Sequence, residues 1–204
     1  RFSVLVPYKA YSAGTLICLG ASEIVMTKMG ELSPVDPNIT SVFNPEDTNN
    51  MKLPINVEDV YSFFSIAKDV IGLKTDETLI KVFTNLTEHI HPLAVGSIFR
   101  SHALIRTVAK ELLLMHMNYN DEYKINEIVN ILTEKLQSHS YMITRREAKN
   151  IIKLPIKNCS NELEKKLWNL YEAYEKDFSF NTPFSPDEVD IYGAVSEYIG
   201  ACLT

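Results

Sequence analysis

The chain has 204 residues, 46% of them hydrophobic, with 20 basic and 26 acidic side chains and a net charge of −6. That supports one large domain, or one domain with a smaller appendage, around a sizeable core, and the lack of a basic excess argues against a general nucleic-acid surface. Three cysteines without metal-ligand spacing argue against a disulfide framework or a zinc site and for a reducing, cytoplasmic compartment.

Phe2 to Pro7 is apolar and β-branched enough for a buried strand. Small residues at Ala10, Ala13 and Gly14 lead into a helix through about Ala21, and "EIVMT" at 23–27 predicts a second short strand. Strand, helix and strand in succession predict a parallel sheet, which needs more strands than these and cover on both faces. Missing strands are therefore expected upstream of Arg1, where the chain enters a strand at once without an initiating Met. A membrane anchor in that upstream part is compatible with this expectation. Within the chain, the most apolar stretch, Tyr11 to Met26, carries Glu23 and falls short of the roughly 20 apolar residues a span requires.

Residues 40–56 are polar, rich in Pro and Asn, and read as a surface loop. Helices follow. Asn56 opens one to about Ile71, Thr75 caps the next to about His89, and 92–117 is long, with Ile98, Ile105, Val108, Leu112 and Met115 on one side. Ile125, Ile128, Val129, Leu132 and Leu136 form the stripe of the next helix, and "TRRE" at 144–147 is a capping box. Leu163, Leu167, Leu170, Tyr171 and Tyr174, with Trp168 beside them, make another stripe, and Ser185, Pro186 and Glu188 open a last helix. A break near Lys157–Ser160 separates a main domain, 1–157, from a helical tail, 158–204.

Ser12 stands where strand gives way to helix, and two chemistries fit it. Serine is among the best helix N-caps. A serine on a strand-to-helix turn is also lifted toward substrate, with N–H groups of the helix start pointing at developing negative charge. Its hydroxyl then needs a base to accept the proton. The local pattern leaves both readings open.

The segment "VPYKAYSAGTLICLGASEIVMTKMGELSPVDPNI" resembles the nucleophile region of Clp-fold serine peptidases, most nearly the serine dehydrogenase proteinases, relatives of signal peptide peptidase A. "HPLAVGSIFRSHALIRTVAKELL" and "LTEKLQSHSYMITRREAKNIIKLPI" look like the same group in the same order, so the likeness runs from about residue 3 to 156. It implies an α/β, ClpP/crotonase-like spiral fold whose first strands precede this sequence, with a mostly helical C-terminal half. It also implies hydrolysis of peptide bonds in a peptide or protein substrate, through an acyl-enzyme on Ser12. The Ala13 N–H would serve the oxyanion hole beside a second donor from an upstream glycine-rich turn, and the protein would be a homo-oligomer. Nothing in the sequence suggests dehydrogenase chemistry.

The base departs from the family pattern. Clp-type peptidases carry a histidine about where "SPVDP" falls, and this chain has Asp36 there. A carboxylate with a reference pKa of about 3.9 orients a base better than it accepts a serine proton. His139, just ahead of "YMITRREA", falls near the family's third catalytic position, and imidazole titrates in the useful range. Signal peptide peptidases use a lysine instead, for which Lys52 and Lys9 are the candidates. The Asp36 substitution also motivates a rival from another class, a catalytically inactive Clp-fold binding or assembly module. Acyl-CoA chemistry of the crotonase kind is a third reading.

The remaining signals are structural. His91 before Pro92 reads as a turn residue, and His102, Arg106 and Lys110 share a helix face that reads as solvated. No Gly-rich phosphate loop is present, so no cofactor is expected.

Overall fold

The computed structural model describes residues 2–35, 38–136, 138 and 140–180. Strand β1 (Ser3–Val6) pairs in parallel with β3 (Glu23–Met26), and β3 pairs in parallel with β8 (Ile156–Asn158). In a second small sheet, β4 (Glu31–Leu32) lies parallel to β2 (Lys9–Ala10) and antiparallel to β7 (Ile143–Thr144). The chain alternates between these sheets. It passes from β1 to β2, through helix α1 (Ala13–Gly20), from β3 to β4, and later from β7 through helix α6 (Arg145–Asn150) to β8. The fold is mixed α/β, and β1 and β3 have the parallel pairing that a strand, helix and strand predict.

Strand β1 is not the buried strand its apolar run suggests. Val6 is buried, but Phe2 and Leu5 are exposed, because among the described residues β1 is an edge strand paired only with β3. Helix α1 turns Cys18, Leu19 and Gly20 into the core. A side-chain carbon at Gly20 would stand 3.1 Å from Leu112 Cδ2, so the glycine lets α4 (Pro92–Leu114) approach closely.

Helix α4 begins as expected, with Pro92 in its first turn and His91 Nδ1 accepting the Leu93 N–H at 3.2 Å. Its buried face differs from the one the spacing predicts. Ala94, Val95, Ile98, His102, Ala109 and Leu113 are buried, while Met115 is exposed. The helix is apolar over a wide arc, and its contacts with α1 and with α5 (Glu122–Asn130), rather than residue size, choose the side turned inward. On α5 and the turn that continues it, Ile125, Ile128, Val129 and Leu132 are all buried, as their spacing predicts.

Residues 40–56 are more ordered than a plain loop. Strand β5 (Asn38–Ile39) pairs antiparallel with β6 (Ile55–Asn56). Between them the Asp47 carboxylate accepts the N–H groups of Asn49 and Met51, and Asn44 Nδ2 donates to the Leu53 carbonyl at 2.8 Å. Asn and Asp side chains replace backbone partners here, as they do in turns.

Helix α2 (Val57–Ser65) is capped by Asn56, whose side chain accepts the Glu58 N–H at 2.7 Å. It runs on as a π-helical turn, Ile66–Val70, and α5 likewise runs on as a π-helical turn, Ile131–Lys135. Helix α3 (Asp76–His89), capped by Thr75, buries no residue completely. The main core joins the β1–β3–β8 sheet, α1, α5, α6 and the C-terminal half of α4; a smaller cluster holds Ile55, Val57, Val60, Ala94 and Ile98.

The chain divides into two compact units, 1–164 and 165–204, so that the boundary falls within α7 (Asn161–Phe178). At the start of that helix, within the first unit, Glu164 accepts the Lys28 backbone N–H. In the second unit Leu167 is buried while Leu170 and Tyr174 are half exposed, and the Trp168 indole donates to Glu172 at 2.9 Å. The helix expected to open at Ser185 lies outside the described residues. Among the described residues no helix is long and apolar enough to cross a membrane.

Candidate functional site

Ser12 occupies the N-cap position of α1 with φ 49 and ψ −106, and its side chain makes no capping hydrogen bond. An N-cap side chain accepts an N–H of the first turn from an extended backbone. Asn56, Thr75 and Thr144 do this in the same chain, at φ values of −84, −88 and −70. Ser12 does the opposite. Its backbone takes a conformation that disfavours any side chain, and its hydroxyl is left uncommitted to the helix. A non-glycine residue in such a region costs about 1–3 kcal/mol and persists only where its surroundings over-determine it.

Those surroundings are a buried hydroxyl pair that the sequence reading does not single out. The Ser12 N–H donates to Ser33 Oγ at 2.8 Å, and Ser33 Oγ donates to the Pro34 carbonyl at 2.9 Å. The Ser33 N–H in turn donates to Thr15 Oγ1 at 3.1 Å. The Thr15 hydroxyl lies 2.8 Å from the Ala10 carbonyl and 3.0 Å from that of Ser33, and shares its one proton between them. Thr15 and Ser33 are wholly buried. This pair locks the residue two before Ser12, the residue three after it and the end of β4 into one unit. The available signal is a threonine on the inward face of an otherwise apolar helix.

Ala13, the first residue of α1, contributes one of the N–H groups that a helix start cannot satisfy from within. Among the described residues the Ser12 hydroxyl forms no hydrogen bond, whereas the backbone N–H of the same residue is engaged. Asp36 and His139, the expected partners, lie outside the described residues. Lys9 is exposed and its Nζ sits over the rings of Tyr8 and Tyr11, at 4.8 and 5.8 Å. Lys52 is engaged in the 40–56 segment, 2.8 Å from Glu46 and 3.0 Å from the Asn44 carbonyl.

Tyr11, next to Ser12, donates its phenol to Glu31 at 2.6 Å. Burial, then the Glu31 hydrogen bond and charge, push its pKa up to about 12, so it is a neutral donor at physiological pH. Cys18, on the same helix, is buried, and burial pushes its thiol up to about 11, which leaves it inert as a nucleophile.

The His102, Arg106 and Lys110 stripe is not a solvated face. Arg106 donates to Thr133 Oγ1 at 3.0 Å, to Glu134 Oε1 at 2.7 Å and to Asn130 Oδ1 at 2.6 Å, and Lys110 pairs with Glu122 at 2.7 Å. His102 is 5% exposed, with Nε2 4.0 Å from Glu134 Oε1. These partners belong to a different helix, so spacing within α4 could not reveal them. Among the described residues no three His, Cys, Asp or Glu side chains gather as metal ligands.

No family model matches this chain, and no solved structure matches it. A protein of Methanocaldococcus jannaschii described as uncharacterized is 30% identical over 148 residues, which are 72% of this chain and 41% of that protein. The chain thus spans about two fifths of the length of the curated relative it matches.

Proposed function

We propose that this chain carries the nucleophile half of a serine peptidase domain of the Clp/crotonase kind, in the group of the serine dehydrogenase proteinases, and that Ser12 cleaves peptide bonds through an acyl-enzyme. One observation carries the reading: Ser12 sits at a helix start in a strained backbone conformation and does not use its hydroxyl to cap. That is the geometry of a nucleophile held up on a strand-to-helix turn. The alternation of β1–β2 and β3–β4 between two sheets supports the spiral architecture.

In the proposed reaction a base takes the Ser12 proton as Oγ bonds to the scissile carbonyl carbon. The carbonyl electron pair moves onto oxygen, where the Ala13 N–H stabilises it. Collapse expels the amine, which leaves with the proton from the base, and water then hydrolyses the ester. His139 is the base and Asp36 orients it. The β4–β7 register supports this assignment. Leu32 faces Ile143 in antiparallel order, so residues 33–35 and 140–142 leave the same end of the sheet, the end where Ser33 holds the Ser12 N–H.

A fluorophosphonate probe tests the reading. The full-length protein should be labelled, Ser12→Ala should abolish labelling, and His139→Ala should slow it by about 10²–10⁴-fold. A folded full-length protein that takes up no probe sinks the peptidase reading. It would leave the inactive binding or assembly module, which the aspartate at position 36 favours.

A further inference from the structure

Both π-helical turns of the described chain meet at one cavity. It has a volume of about 440 Å³, within the range of small-molecule sites. Ile66, Asp69 and Val70 line it from the turn that extends α2, and Thr133 and Glu134 line it from the turn that extends α5. Such turns interrupt regular helix hydrogen bonding and recur at functional sites. Tyr61 adds an aromatic wall.

A buried group with an unpartnered nitrogen stands behind two residues of the cavity wall. Nε2 of His102 has no hydrogen-bond partner, although the residue is only 5% exposed. Its ring centroid lies 5.4 Å from that of Tyr61, and Nε2 faces Glu134 Oε1 at 4.0 Å, too far for a hydrogen bond. Both neighbours line the cavity. An orphaned buried polar atom costs stability unless a water or a ligand group supplies its partner.

The lining defines the ligand chemistry. Tyr61, Ile66 and Val70 offer apolar surface, Glu58, Asp69 and Glu134 offer carboxylates, and no Lys, Arg or His side chain is among the described lining residues. Arg106 holds Glu134 through Oε1 and does not line the cavity. We infer that this cavity binds a cation on an apolar stem, either a free alkylammonium compound or the basic side chain of a peptide. The carboxylates of Asp69 and Glu134 match the cation, and Tyr61, Ile66 and Val70 cover the stem. Binding there does not use Ser12.

Calorimetric titration of the protein with hexylamine, 1-hexanol and the tripeptide acetyl-Ala-Lys-Ala-amide tests the inference. Hexylammonium or the tripeptide should saturate one site, with hexanol at least about tenfold weaker. Asp69→Asn and Glu134→Gln should each weaken the amine about tenfold, and the His102 ring nitrogen resonances should shift on binding. Tighter binding of the tripeptide assigns the site to peptide side chains, and tighter binding of hexylamine assigns it to free amines. Saturation by neither, equal binding of hexanol, or full affinity in the folded double variant overturns the inference. The same titration on Ser12→Ala separates it from the peptidase reading.

Discussion

Two buried polar clusters in this molecule follow opposite rules. Around Ser12, the hydroxyls of Thr15 and Ser33 are wholly buried and each has partners, so that three segments of chain are fastened together. Around His102, Arg106 satisfies three acceptors, yet the imidazole beside them keeps an unpaired nitrogen. A fully bonded network fixes one geometry, and here it fixes a strained one. A partly bonded network forgoes stability and retains capacity. The surroundings differ in the same sense. The elbow rests on the main core, whereas the helical arm of α2 and α3 rests on a small cluster and includes a helix with no fully buried residue.

The largest expected effect tests that contrast in packing. Leu19→Ala, on the inward face of α1, empties a site with no solvent exposure and should cost about 2–5 kcal/mol in denaturant unfolding. Ser33→Ala comes next. It strands the Ser12 N–H without its buried partner, which should cost about 1–3 kcal/mol. Labelling at Ser12 should slow as well, because the backbone strain loses its support. Unchanged stability and labelling in Ser33→Ala would mean that the elbow holds itself.

The His102 cluster should respond in the other direction. His102→Leu removes a buried nitrogen that has no partner, so the variant should be at least as stable as the parent near pH 7. Burial depresses the His102 pKa, so the folded protein binds fewer protons than the unfolded chain once pH falls below 6.5. Stability should therefore decline on acidification through that value, and His102→Leu should flatten this part of the profile. A steeper decline in the variant would contradict the assignment. The smallest effect belongs to the arm. Ile80→Ala on α3, at a position 63% exposed, should stay within about 0.5 kcal/mol of the parent.

Local chemistry was legible where it depends on near neighbours. The caps at Asn56, Thr75 and Thr144 stand where their residue types put them, and Ile125, Ile128, Val129 and Leu132 share the buried side that their spacing gives. Helix α4 was harder to read because apolar residues cover a wide arc, and only its neighbours select Ala109 and Leu113 over Val108 and Leu112. The charged stripe on that helix was misread for a related reason. Its partners Asn130, Glu134 and Glu122 lie on or beyond α5, and sequence distance hides them. The Thr15–Ser33 pair joins residues 18 apart and carries no motif.

The amino-acid sequence by itself determined the mixed α/β class, the succession of β1, α1 and β3 and the position of a serine at a strand-to-helix turn, because propensity, capping and periodicity act over a few residues. The short strands β2 and β4 to β8 carried no such signal. Only the tertiary structure decided whether that serine caps its helix. Its backbone angles depend on hydrogen bonds from Ser33 and Thr15 across two elements, and such contacts form when distant segments pack. The same holds for the cavity beside His102, whose walls come from turns more than sixty residues apart in the chain.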